Sequence, residues 1–126
     1  MRIIGIGTDI AEIDRIENML EKHPESFPSR VFTPSEIRYC QGKNRGERFA
    51  ARWAAKEAVM KAFGTGWTKD VGWTDIEVVR SESGKPSIRL HGGALRLSKE
   101  LGITEVQISL SHCQTLALAF ATAIGE

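Results

Sequence analysis

The chain has 126 residues, 41% hydrophobic and 26% charged, which suits one domain over residues 1–126 with an ordinary buried core. Its 17 basic and 16 acidic side chains leave a net charge of +1, which excludes a chain built throughout to coat nucleic acid. Two scattered cysteines, Cys40 and Cys113, form no CxxC pair and no zinc spacing; with no leader of secretory length and no membrane span, they predict a reduced, cytoplasmic protein.

Ile3 to Ile10 is short, apolar and β-branched, and predicts a buried strand. Gly5 and Gly7 within it predict close approach of another backbone or of a ligand. From Ala11 to Lys22 the period changes. Ile13, Ile16 and Leu20 recur at helical spacing, charge fills the other side, and His23-Pro24 stops the helix. Thr33-Pro34-Ser35-Glu36 is a helix start, with threonine as N-cap, proline in the first turn and Glu36 closing a capping box. That short helix stops near Gly42. Glu47 to Phe63 carries the longest helical signal, and Gly64 closes it. On this helix Phe49, Trp53, Met60 and Phe63 form one stripe, and alanines 50, 51, 54, 55, 58 and 62 fill an arc beyond it.

The second half reads mainly as strands. Asp75 to Arg80 and Ser87 to Leu90 predict a hairpin across Ser83-Gly84-Lys85. Ala94 to Leu101 predicts a helix ending at Gly102. Glu105 to Ser111 alternates Val106, Ile108 and Leu110, and Thr115 to Ile124 alternates Leu116, Leu118 and Phe120. These two pair through a turn at His112 to Gln114. The expected fold is α+β, an antiparallel sheet packed around a long central helix.

Several residues point to chemistry. Glu57 lies inside the most apolar helix, where a carboxylate is costly unless a cation answers it. Lys61, four residues on, shares its face, either as an exposed ion pair or as part of a site. Asp9 ends the glycine-rich strand; it either caps the helix predicted from Ala11 or supplies a second carboxylate. Two carboxylates near a lysine make a hard oxygen site of the kind magnesium takes with waters and substrate phosphate, and manganese accepts the same ligands. Gly64-Thr65-Gly66 is a plain glycine C-cap or a loop whose amides approach phosphate; it is no Walker loop. Arg52 and Lys56 share a helix edge and repel unless an anion lies between them. His112 sits in the predicted turn, and Cys113 beside it points to the opposite side.

Taken in order, these residues resemble one family. Trp53-Ala-Ala-Lys56-Glu57-Ala-Val-Met-Lys61 matches the WxxKExxxK signature of the phosphopantetheinyl transferases. Gly5-Ile-Gly-Thr-Asp9-Ile with Arg15-Ile16 is similar to the first block of its small bacterial class, the holo-acyl-carrier-protein synthases. Phe32-Thr33 to Glu36, Phe63 to Gly66, Gly84-Lys85-Pro86 and Ser111-His112 match further blocks in the same order. The resemblance implies a homotrimer with active sites between subunits. It implies transfer of phosphopantetheine from coenzyme A to a serine of acyl carrier protein, with release of 3′,5′-ADP, in fatty acid biosynthesis. By the same likeness, Asp9 and Glu57 hold Mg2+, and Lys61 contacts the pyrophosphate. Arg52, Gly64, Thr65, Gly66, Pro86 and His112 line the coenzyme A pocket, while Arg15 and Met19 dock the carrier protein. The serine proton needs an acceptor, a metal-bound water or a carboxylate; Glu36 is a contributor or only a helix cap.

The contrasting class is a non-catalytic α+β module that binds a nucleotide or RNA through loop lysines and arginines. A near-neutral charge and an acid–lysine pair inside an apolar helix argue against it.

Overall fold

The computed structural model describes residues 1–126. Strand β1 spans Arg2–Glu12 and helix α1 spans Ile13–Lys22; α2 (Ser26–Val31) and α3 (Pro34–Cys40) follow, then the 19-residue α4 (Arg45–Phe63). A single 3-10 turn at Trp73–Asp75 leads to β2 (Ile76–Arg80) and β3 (Pro86–Leu90); α5 (Gly92–Glu100), β4 (Ile103–His112) and β5 (Leu116–Gly125) complete the chain. β5 lies between β1 and β4 in a three-stranded antiparallel sheet, and β2 pairs only with β3.

The centre of the domain is α4 laid across the three-stranded sheet. Thirteen of its nineteen residues are buried, including Phe49, Met60 and Phe63 and the whole alanine arc. The arc meets a second row of small residues: Ala117, Ala119, Ala121 and Ala123 of β5 are each fully buried. From β1 come Gly5 and Gly7. A Cβ on either would overlap the carbonyl oxygen of Ala62 or Ala58 on α4. Backbone therefore meets backbone at this seam, and the approach predicted from the two glycines is there. We expect Gly7→Ala to push β1 off α4 at a cost of about 3 kcal/mol, since a backbone carbonyl cannot yield as a flexible side chain does. Thermal unfolding should register this as a fall of about 10 °C.

Four local features differ from the sequence reading or add to it. The first strand runs on to Glu12, so the helix begins at Ile13 and not at Ala11. Asp9 therefore sits inside β1, opposite Ala119, and is not a helix cap. The segment after Pro24 holds the short α2, which two prolines concealed. His112 is the last residue of β4, paired with Ala117, so the turn begins at Cys113.

The fourth concerns β5. Its large apolar residues alternate along one face as expected, yet Leu116, Leu118 and Phe120 are about two-fifths exposed while the alanines between them are buried. The helix backbone comes so close to the sheet that only methyl groups fit beneath it. The large side chains point outward, where β1 adds Ile3, Ile6 and Ile10, each more than half exposed. One face of the sheet is thus a continuous apolar surface.

Candidate active site at the seam of the first strand and the central helix

The glycines that bring β1 onto α4 also bring Asp9 to the helix. Lys61 Nζ donates to Asp9 Oδ1 at 3.0 Å and to the Thr8 carbonyl at 3.0 Å. Lys61 is half exposed, whereas the Asp9 side chain is mostly covered. The expected contact of Lys61 with Glu57 along the helix gives way to this cross-element pair with Asp9. Glu57 stands half-buried beside them. Burial, followed by the nearby Asp9 charge, pushes its carboxyl up; Lys61 and the Trp67 indole oppose this. The indole N–H lies beside the carboxyl without closing a hydrogen bond.

Asp9 and Glu57 thus form a carboxylate pair in which the second anion is held at a cost. A divalent cation would remove that cost, and the donor set fits magnesium, which takes one or two carboxylates and fills its other positions with water and phosphate oxygens. No group of three or more His, Cys, Asp or Glu side chains is assembled for a metal.

The other predicted residues fall around this seam unevenly. Gly64 and Gly66 both adopt φ near the left-handed region, at 81° and 67°, and the exposed Thr65 between them donates to the Gly66 carbonyl. His112 Nε2 lies 3.2 Å from Glu47 Oε1 at the start of α4. Pro86 opens β3, opposite Arg80. Arg52 is 5% exposed, stacked on the Tyr39 ring at 4.3 Å, with Arg48 and Arg80 also over that ring at 4.9 and 5.2 Å. No carboxylate pairs with any of these three arginines, and Arg52 Nε is buried without an acceptor. Nine residues of helix, at about 100° each, put Arg52 on the opposite side of α4 from Lys61. The structure therefore unites Asp9, Glu57 and Lys61 but does not bring Arg52 to them within one chain. A concavity of about 610 Å³ between β3, α5 and β4 is lined by none of the three united residues.

Arg15 and Met19 are exposed on α1 and line a small cavity of about 120 Å³ with Ile16, Phe27 and Trp53.

Lys56 corrects the sequence reading most sharply. It lies one turn from Arg52 on the same edge, but a buried acid of its own, and not an anion shared with Arg52, answers it. It is fully buried, and its Nζ donates to Glu36 Oε1 at 2.8 Å, to the Trp73 carbonyl at 3.1 Å and to the Ile76 carbonyl. Burial pulls its pKa down, and Glu36 acts against that. Glu36 closes the predicted capping box on Thr33 and also accepts the Val78 N–H. Both of its oxygens are thus engaged within the fold. The helical arrangement alone could have flagged this: Lys56 falls among buried alanines, where a cation demands an acid.

Beside it, Glu77 takes hydrogen bonds from Ser35, Thr33 and His91 at 2.6, 2.8 and 3.0 Å. Burial pushes its carboxyl up, but the bonds from Ser35, His91 and Thr33 and the His91 charge outweigh that and bring it to about 2. A carboxyl lowered on folding stabilises fully above its unfolded value and loses that contribution as pH falls through its folded value. Stability should therefore drop between about pH 4.5 and about pH 2. Acid unfolding of Glu77→Gln should lack this part of the slope; an unchanged slope would refute the assignment.

The sequence profile described as the 4'-phosphopantetheinyl transferase superfamily matches residues 5–121. The holo-[acyl-carrier-protein] synthase of Gloeobacter violaceus is 49% identical over 122 residues, covering 95% of this chain and 92% of that one. The crystal structure of the Neisseria meningitidis holo-[acyl-carrier-protein] synthase superposes with a TM-score of 0.90 at 35% identity, covering 98% of this chain and 99% of that one. The Helicobacter pylori enzyme of that name, solved in complex with coenzyme A, gives 0.84 at 31% identity over 94% of this chain and 99% of that one.

Proposed function

The chain belongs to the 4'-phosphopantetheinyl transferase superfamily, and from that premise we propose how its own residues carry out the transfer. It moves the 4'-phosphopantetheine group from coenzyme A to a serine of apo acyl carrier protein and serves fatty acid biosynthesis, in keeping with relatives named holo-[acyl-carrier-protein] synthase, one of them solved in complex with coenzyme A. The serine oxygen forms a bond to the β-phosphorus; the bond to the bridging oxygen breaks, 3′,5′-ADP leaves and the serine proton passes to a water or a carboxylate of the site. The observation that carries this reading is the meeting of Asp9, Lys61 and Glu57 across the β1–α4 seam.

Phosphoryl transfer needs positioning and charge neutralisation more than covalent help. Asp9 and Glu57 hold Mg2+, which when bound polarises phosphate oxygens as a Lewis acid. Lys61 is partly exposed and already turned to Asp9, so its ammonium can follow charge onto the leaving phosphate and donate a proton there. Gly64, Thr65 and Gly66 present backbone beside it. His112 and Pro86 flank the nucleotide. Arg52 faces the anionic coenzyme together with Arg48 and Arg80, three guanidiniums around Tyr39 that no carboxylate answers.

Arg52 and Lys61 can serve one ligand if two copies of the chain form the site. The apolar sheet face of Ile3, Ile6, Ile10, Leu118 and Phe120 supports a homotrimer packed through it, because contiguous apolar surface of this kind marks an interface. We expect Leu118→Glu with Phe120→Glu to give a folded monomer by light scattering that has lost nearly all turnover. Retained turnover in that monomer would refute the interfacial site. Arg15 and Met19, over the cavity floored by Phe27 and Trp53, take the carrier protein. The cytoplasm is the place of action, in keeping with two free thiols and no helix long and apolar enough to cross a membrane.

The test is direct. Incubated with coenzyme A, Mg2+ and an apo carrier protein, the chain should add one phosphopantetheine per carrier, read by intact mass. A carrier that gains no mass at any salt or divalent metal refutes the reading.

A further inference from the structure

Between α4 and the 3-10 turn at Trp73 the chain has neither helix nor strand, so side-chain packing fixes Trp67. Its ring lies 4.1 Å from that of Trp73, which stacks at 4.4 Å on Trp53 of α4. The Trp73 carbonyl in turn accepts from the buried Lys56. The residue next to Glu57 in the chain thus anchors the stack that holds Trp67 beside Glu57. The Trp67 Nε1 is buried and donates to nothing. An indole N–H can only donate, and a buried one ordinarily finds an acceptor. The Glu57 carboxylate is its polar neighbour and is held down by it.

We propose that Trp67 is the positioning residue of Glu57: its indole N–H faces one carboxylate oxygen and holds the carboxylate so that the other oxygen is left for a divalent cation. The proposal rests on the reading of Asp9 and Glu57 as cation ligands. Outer partners of this kind orient a ligand and set its affinity. The stack makes the donor rigid, so the carboxylate and not the indole adjusts.

Trp67→Phe keeps an aromatic ring against Trp73 and removes the N–H together with the pyrrole ring. With Mn2+ as the probe, free ion measured by electron paramagnetic resonance should show its dissociation constant raised about 10- to 100-fold in Trp67→Phe, with an unchanged melting temperature. A second measurement needs no metal. The indole 15N–1H signal of Trp67, assigned by its loss in Trp67→Phe, should move in Glu57→Ala. Equal Mn2+ affinity in Trp67→Phe and the parent protein overturns the proposal, and so does an indole signal that stays in place in Glu57→Ala. Equal affinity in Glu57→Gln and the parent overturns the metal reading instead, and the indole signal then decides alone whether Trp67 holds Glu57.

Discussion

Glu57→Gln should fall about 10³-fold in kcat/KM while melting at the same temperature as the parent protein or slightly above it. Holding a divalent cation against developing phosphate charge is worth several kcal/mol, and each 1.4 kcal/mol or so is a factor of ten in rate. Stability should move the other way because burial and the Asp9 charge already oppose the Glu57 anion. Glutamine has nearly the same shape without that charge. Sites built to bind charge are commonly destabilising until occupied. Asp9→Asn should lose activity to a similar degree but without the gain in stability, since it also gives up the ion pair to Lys61. That pair is half exposed on the lysine side and contributes little. Phosphopantetheine transfer followed by mass spectrometry and melting followed by circular dichroism check both halves. Full activity in either variant would remove Asp9 and Glu57 from the cation site.

Lys56→Met should be the most damaging single change for the fold. It leaves Glu36, 1% exposed, as a buried carboxylate with no cation. Breaking a buried pair on one side costs about 3–5 kcal/mol, against a total stability of about 5–15 kcal/mol for a domain. The loss should spread, because Lys56 Nζ also ties the Trp73 and Ile76 carbonyls to α4. If the unanswered anion is the cause, neutralising it must help. Lys56→Met with Glu36→Gln should therefore be more stable than Lys56→Met alone, by urea titration of both. Additive losses would show that packing, and not the orphaned charge, sets the cost.

Both expectations turn on the same helix, and the sequence reveals its two parts unequally. The order and type of the elements are local properties. Period 3.6 in α4 and α1, period 2 in β4 and β5, the Thr33 capping box and the Gly64 stop each depend on a few neighbouring residues, so they are legible along the chain. So is the juxtaposition at Gly5 and Gly7, because a strand surrenders its side chains only where another backbone must fit. Partnership across the chain is not local. Asp9 meets Lys61 from 52 residues away, and Lys56 meets Glu36 from 20. A helical wheel shows Lys56 beside Arg52 and Lys61 beside Glu57 but cannot say which neighbouring element answers each charge. The outward turn of Leu118 and Phe120 has the same origin. Period 2 fixes that they share a face, and only the close packing of α4 on the alanines decides which face is turned out. The ordered motifs along the chain determined its family and named Asp9, Glu57 and Lys61. The tertiary structure decided which charges meet, because burial and distance are properties of the packed domain and not of any one segment.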